Sequence, residues 1–357
     1  MKKIVALLAI ALVLSGCSDA KETVENQTAN DVSTTDSLDD SFYRVVNFNT
    51  NLSREDYYTA FGNTMDFQTI GRELQILSTD HFSTNDYYMS EGQYLKTDDM
   101  NQLLKRSEDT SKYPYTLQAQ RGTTIGGVAN PIMVSTVHEQ DYYEKNGSEY
   151  VLKGLSLAIV LDPRDEKNER LDTSLDESLV VDFGREAISK LYKYLQSKKD
   201  LKDIPANICV YYATNTNESD INGRYILKSY CDGSVGNIET LDYKNYMFTS
   251  TEATAADEDT ASQFEIFKSN MKKAATEAVG VIGYGRYKNG QIQSMKINLK
   301  VNIKTYTELL YLISTAADEL NTQFRGFDIK ELDSSQDQLE ALIVKDKGED
   351  AKSILLY

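Results

Sequence analysis

Two stretches of the chain carry the same succession of hydrophobic patterns. In the first, β-type runs at Ile132 to Val137 and Val151 to Leu161 flank Lys145, Asn146 and Gly147. Asn-Gly between such runs predicts a hairpin, because both residues tolerate positive φ. Ser174 then starts a helix, with Glu177 three residues later to complete a capping box. Leu179, Phe183, Ala187, Leu191 and Leu195 recur at helical spacing and form its apolar face. Ile204 to Ala213 follows as a strand. In the second stretch, Val279 to Tyr287 and Ile292 to Ile303 flank Lys288, Asn289 and Gly290. Thr305 and Glu308 form the capping box, and Leu309, Ile313, Ala317 and Leu320 form the apolar face. Strands follow near Phe327 to Leu332 and Ala341 to Val344.

The shared order is hairpin, capped helix, strand. Each copy is preceded by a helix, at Thr97 to Arg106 and at about Asp257 to Ala275. The pattern predicts an α+β fold of two similar ββαβ-containing repeats, at residues 41–235 and 236–357. Cys209 and Cys231 fall in two β-like runs, Asn207 to Ala213 and Arg224 to Asp232, with a turn signal at Asn222-Gly223. A symmetric hairpin centred near residue 220 places them opposite each other. In an oxidising compartment they are expected to form a disulfide, the alternative being two buried thiols.

The N-terminus has a different pattern. Lys2 and Lys3 precede an apolar run from Ile4 to Leu14. At about eleven residues the run is too short to span a bilayer, which takes about 20, and it has the length of a signal-peptide core. Leu14, Ser15, Gly16 and Cys17 follow as an aliphatic residue, two small residues and Cys, the arrangement of a bacterial lipobox. Residues 1–16 are read as a lipoprotein signal peptide removed by signal peptidase II. Cys17 is the residue that takes diacylglycerol, and two acyl chains anchor stably. Ser18 to Asp40 is rich in Asp, Glu, Ser, Thr and Asn, so residues 17–40 are expected to form a disordered tether. The body is placed at the extracytoplasmic face of the cell membrane.

The net charge of −17 repels phosphate backbones and anionic lipid surfaces, which argues against nucleic acid as a partner. Two His leave too little imidazole for a His₃ zinc site, and no cofactor or metal is expected. The sequence lacks H-E-x-x-H, G-x-S-x-G and the P-loop motif. Ser269 and Lys272 give an isolated S-x-x-K, and His81 and His138 are read as ordinary histidines rather than general bases. Gly283 and Gly285 form a G-x-G within a strand, which close backbone packing explains. Asp162, Asp165, Glu166 and Glu169 crowd one loop without EF-hand spacing, so a solvated loop is expected there. Asp-Tyr-Tyr occurs at Asp56, Asp86 and Asp141, with Gly62, Gly92 and Gly147 beyond. Such tyrosines suit either sugar stacking or strand ends. Catalytic residues are not assigned, and a wall hydrolase using paired acids is the least favoured reading.

Motifs spread along the chain carry a resemblance. Asp86, Tyr87 and Tyr88, then Glu91, Gly92, Gln93, Tyr94 and Leu95, resemble the D-Y-Y-x-x-E-G-Q-Y-L segment of the CamS-type sex-pheromone lipoproteins of Gram-positive bacteria. Asn130-Pro131, the run Glu139-Gln140-Asp141-Tyr142, Asp203-Ile204-Pro205 and the block from Ser250 to Lys268 resemble further segments. So do Val281-Ile282-Gly283 and the terminal run Glu340 to Val344, so that the likeness covers about residues 42–357. It implies a two-repeat extracytoplasmic domain and a signal peptide trimmed by an intramembrane protease to a short hydrophobic mating pheromone. It implies no enzymatic reaction. The Glu-Gln-Asp-Tyr cluster serves either as a binding edge or as buried hydrogen-bonding structure. In the first case Glu91, Tyr94, Glu139, Asp141 and Tyr142 line a groove for cell-wall glycan or peptide.

Overall fold

The computed structural model of the chain describes residues 41–46, 66–106, 111–213, 223–275, 280–335 and 338–356. The leader, Cys17, the tether and Asp56 with its two tyrosines lie outside the described residues. Along the first part run β1 (Arg44–Val45), α1 (Phe67–Ser78), β2 (Tyr88–Glu91), α2 (Thr97–Leu104), a short ribbon of β3 (Thr124–Ile125) and β4 (Val128–Ala129), β5 (Ile132–Asn146) and β6 (Glu149–Arg164). They are followed by α3 (Glu177–Ser197), β7 (Ala206–Tyr212), β8 (Arg224–Cys231) and β9 (Glu239–Thr240). The second part holds β10 (Tyr243–Phe248), α4 (Thr251–Ala256), α5 (Glu258–Ala274), β11 (Gly280–Lys288) and β12 (Gln291–Val301). It ends with α6 (Tyr306–Gln323), β13 (Asp328–Ser335), β14 (Gln338–Lys345) and β15 (Lys352–Leu355).

The strands form two mixed sheets, ordered β1-β2-β5-β6-β7-β8-β9 and β10-β11-β12-β13-β14-β15. The fold is α+β, as expected. Both sheets contain an antiparallel hairpin, a helical crossover to a parallel strand, and a further antiparallel strand. A parallel neighbour needs such a crossover because a tight turn cannot return the chain in the same direction. The two hairpin turns differ in detail. Lys288 pairs with Gln291, leaving Asn289 and Gly290 as the turn, both at positive φ. In the first hairpin Asn146 pairs with Glu149, so the turn is Gly147-Ser148, with φ +63° at Gly147. Two-residue turns of either kind fit the strand twist, so one residue of sequence shifts the loop without changing the hairpin.

The sheets are covered differently. In the first sheet, α2 and α3 pack one face against Leu157, Ile159, Leu161, Ile208 and Val210. On the other face, α1 lays Ile70, Leu74 and Leu77 on Ala158, Val160, Cys209, Tyr211 and Tyr225. A strand buried on both faces needs apolar residues at successive positions, and β6 is buried without a break from Gly154 to Arg164. In the second sheet, among the described residues, helices cover one face, α5 and α6 packing on it through Phe264, Phe267, Leu312, Ile313, Ala316 and Leu320. Its strands accordingly alternate buried and accessible positions. Gly283 and Gly285 lie under the aromatic rings of that core. A Cβ at these positions would come 2.6 Å from a ring carbon of Phe264 and of Phe248, respectively.

Two expectations are corrected. Helix α3 starts at Glu177, not Ser174, because Asp176 accepts the Ser178 N–H at 3.0 Å and acts as the N-cap. Its buried stripe runs through Val180, Gly184, Ala187, Ile188, Leu191 and Leu195, so Leu179 is exposed. The second correction concerns the disulfide. Cys209 pairs with Lys228 and Cys231 pairs with Ala206, an offset of three residues. An odd offset puts side chains on opposite faces of a sheet, and the two cysteines are free, buried thiols in different cores.

Both thiols should therefore alkylate in denaturant without prior reduction, and the intact mass of the body should show no loss of hydrogen. Recovery of a linked Cys209–Cys231 peptide would overturn the register. In the native state both should resist alkylation, since burial raises their pKa above the ordinary thiol range and disfavours the reactive thiolate.

Candidate functional site

The residues singled out in the sequence meet where β2 leaves the first sheet. Antiparallel pairing of β2 with β5 puts Ser90 opposite Asp141 and Glu91 opposite Gln140. Past Glu91 the chain bends across β5 instead of continuing the ladder. Gly92 N–H donates to Glu139 O (3.1 Å), and a Cβ on Gly92 would come 2.4 Å from Glu139 Cβ. Only glycine permits this approach.

The next three backbone N–H groups are taken by two carboxyl groups. Gln93 N–H donates to Asp141 Oδ2 (2.9 Å), Tyr94 N–H to Glu139 Oε1 (3.2 Å) and Leu95 N–H to Glu139 Oε2 (2.9 Å). Tyr143 OH also donates to Asp141 Oδ2 (3.2 Å). Glu139 and Asp141 are buried, and burial raises the pKa of both. For Asp141 the neighbouring Glu139 charge raises it further, whereas at Glu139 the Leu95 and Tyr94 N–H groups work in the opposite direction. Ionisation of Asp141 is thus disfavoured by burial and by the Glu139 charge together, and its Oδ1 is buried without a hydrogen-bond partner among the described residues.

The chain then enters α2, where the Asp99 carboxylate accepts the Lys96 N–H at 2.8 Å. Tyr194 OH donates to Asp99 at 2.5 Å, and Lys198 Nζ pairs with the same oxygen, which docks α2 onto α3. Burial opposes ionisation of Asp99, but hydrogen bonds from Lys198 and Tyr194 outweigh it and lower its pKa. Tyr142 points to the opposite face of β5. It stacks on Phe82 (centroids 4.6 Å apart, 15° between planes) and meets Tyr43 edge-on at 5.0 Å.

The five candidate residues are thus brought together, but not around a groove. Glu139, Asp141 and Tyr142 are buried, Glu91 and Tyr94 are half-buried, and the space between is filled by the 91–95 backbone. Of the two readings left open, buried hydrogen-bonding structure is the one the geometry supports. The remaining candidates are also engaged in the fold. His81 stacks on Tyr230 at 4.0 Å, and burial lowers its pKa. In the acidic loop, Asp162 is buried with two N–H groups of Arg164 on its Oδ2 (2.6 and 2.8 Å), and Asp165 accepts the Lys167 and Glu169 N–H groups of its own turn. Asp162 and Arg164 line a cavity of ≈160 Å³ together with Gln118 and Ser135. Gln118 Oε1 accepts the Met133 N–H (2.9 Å) and Ser135 Oγ donates to Val160 O (3.3 Å), so this lining also serves the strands.

Sequence reasoning missed a second acidic pair. Glu331 and Asp333 stand on β13 facing the α5–α6 layer, between Ile297 and Leu299 of β12 and Ile343 and Ala341 of β14. All four carboxyl oxygens are buried without a hydrogen-bond partner among the described residues. Burial raises both groups, Asp333 to about 7 and Glu331 well above the ordinary range, with the Asp333 charge adding to the rise at Glu331. The period-two run Ile329, Glu331, Asp333 is the signal that could have found them, but strand alternation alone does not say which face is buried.

The described part is a two-sheet α+β body with acid pairs inside its layers. Its class is set by comparison. The family model described as CamS sex pheromone cAM373 precursor matches residues 48–351, and the chain belongs to that family. It is similar to the solved sex pheromone precursor of Lactobacillus salivarius subsp. salivarius UCC118, with 19% identity, 89% of this chain and 97% of that one covered, and a TM-score of 0.78. It also resembles the C-terminal domain of the sex pheromone staph-cAM373 precursor of Staphylococcus aureus, at 21% identity, 80% and 94% coverage and a TM-score of 0.65. At these identities the structures speak for the fold alone. No curated protein matches the chain.

Two predictions follow from the acid pairs. Asp141→Asn should cost less than about 1 kcal/mol in urea unfolding, since an amide oxygen can accept from Gln93 and the change removes a carboxyl group whose ionisation burial disfavours. Glu139→Ala should cost about 2–4 kcal/mol, because it takes the acceptor from the Tyr94 and Leu95 N–H groups and leaves a void. Equal losses would refute the unequal roles of the two acids. For Asp333, the folded chain keeps a proton that the unfolded chain releases at the ordinary carboxylate value of 3.8. Stability from this group is complete below that value and is lost as pH rises toward about 7, by up to about 1.4 kcal/mol per pH unit. Comparing urea midpoints at about pH 5 and about pH 7.5, Asp333→Asn should lose less stability than the parent. A parallel pH dependence in both would remove the claim.

Proposed function

We propose that this chain is a membrane-anchored extracytoplasmic lipoprotein whose leader is processed to a short hydrophobic peptide signal. The observation that carries the reading is Leu14-Ser15-Gly16-Cys17 directly after the apolar run Ile4 to Leu14, in a chain of the CamS sex pheromone precursor family. The thiol of Cys17 takes the diacylglycerol, signal peptidase II cleaves before it, and residues 17–40 tether the body. The body is read as two repeats, at 41–235 and 236–357. The leader fragment left in the bilayer ends at Gly16. An intramembrane protease trims it to Ala9–Gly16 or to the same peptide without Ala9. That peptide has no charged side chain and is mainly aliphatic, so it partitions between bilayer and water in a way that suits a scarce signal.

The body is read as non-enzymatic. The acids that sequence would nominate for chemistry bind backbone N–H groups or hold protons inside the layers, and this supports a structural role.

Cys17→Ala should abolish incorporation of labelled palmitate and leave the leader attached. Continued labelling in that variant would refute the anchor. Targeted mass spectrometry of supernatants from an overexpressing strain should detect the Ala9–Gly16 peptide, and its absence would leave a lipoprotein without a signalling role.

A further inference from the structure

The second sheet leaves one face without a helix layer among the described residues. Register fixes what this face displays. One row across the strands reads Tyr284, Lys296, Lys330, Val344, Lys352, and the adjacent row reads Ile282, Asn298, Leu332, Leu342, Ile354. Lys296, Lys330 and Lys352 are exposed, as are Ile282 (42%) and Ile354 (49%). Lys296 and Lys330 are direct neighbours on parallel strands. Like charges so placed are destabilising unless a counter-charge lies over them.

The surrounding charges do not neutralise this row. At one corner, Arg286 is held by Glu73 of α1 at 3.0 Å. Asp328, at the strand end, accepts the Lys347 N–H at 2.8 Å. Among the described residues, Lys352 is the one lysine of the row with an acidic contact, Glu349 at 3.1 Å, and it remains 71% exposed. A chain of net charge −17 thus gathers lysines on one flat face and lays a row of aliphatic side chains beside them.

We infer that this face docks on an anionic lipid bilayer. The lysine row complements headgroup phosphates, and the aliphatic row enters the boundary between headgroups and acyl chains. A hydrated polyanion would satisfy the lysines and leave the aliphatic row with no gain. The inference draws on the anchored reading for proximity, since a tethered body meets the same surface repeatedly, but it does not require the acyl chains.

The test uses the full chain with phosphatidylglycerol or phosphatidylcholine vesicles and reads amine-reagent labelling of individual lysines by mass spectrometry. On phosphatidylglycerol vesicles Lys296 and Lys330 should label about fivefold more slowly than on phosphatidylcholine, and high salt should remove the difference. Lys272, on α5 in the opposite layer, should be unchanged. Lys296→Glu with Lys330→Glu should abolish the slow labelling of Lys352 while leaving the thermal midpoint in place, since both side chains are exposed. Equal rates on the two vesicles, or equal protection of Lys272, would overturn the inference. Equal protection by soluble polyphosphate would also overturn it, reassigning the face to a polyanion. Flotation with phosphatidylcholine vesicles reads the anchor separately, because only the leader or the acyl chains hold the protein there. Failure of that arm leaves the phosphatidylglycerol result decisive by itself.

Discussion

The Glu139 carboxylate is the interaction on which the first sheet depends. Its two oxygens take the N–H groups of Tyr94 and Leu95, and its own backbone carbonyl takes that of Gly92. Without it the chain crossing from β2 to α2 would carry buried, unsatisfied donors into a core that also contains Leu95 and Leu103. Burying a carboxylate is costly unless hydrogen bonds satisfy it. Here that requirement is met by the backbone N–H groups of Tyr94 and Leu95. The glycine at 92, the acid at 139 and the acid at 141 are one unit, each of value only with the others in place.

The second sheet meets the same difficulty differently. Glu331 and Asp333 have no hydrogen-bond donor on them among the described residues, so burial acts there by raising their pKa and favouring the neutral acids. Between the sheets, the polar contacts are surface pairs and backbone bonds. Arg286 reaches Glu73, Lys244 and Arg224 share Glu177, and Asn245 donates to Gly223 O. Glu73 is largely buried, which raises its pKa, while Arg286 opposes that rise. Desolvation thus outweighs the attraction at Glu73, and the role of the contact is to fix the corner at which the lysine-bearing face begins.

Local patterns were legible where the physics is local. The Asn289-Gly290 turn, the Thr305 cap and the apolar stripe of α6 follow from φ preferences, a missing N–H partner and a 3.6-residue period. Glu139 and Gly92 could be singled out as a cluster, but their contact could not, because 47 residues separate them and only the pairing of β2 with β5 brings them together. The disulfide expectation failed for the same reason. A hairpin between the cysteine-bearing runs is present, yet its register differs by three residues from the symmetric one, and the β-bulge between Val210 and Tyr211 is not visible in the pattern.

The sequence by itself determined the two hairpins with the helices and strands that follow them, the two-part order of hairpin and crossover, the leader pattern ending at Cys17, and the family resemblance, but not α1, β1, β2 or β10. Each depends on neighbours in the chain or on short motifs. Tertiary structure alone decided which face of each strand is covered. Period-two alternation is the same whichever side a helix lands on, so only the placement of α5 and α6 turned Glu331 and Asp333 inward and left Lys296 and Lys330 to solvent.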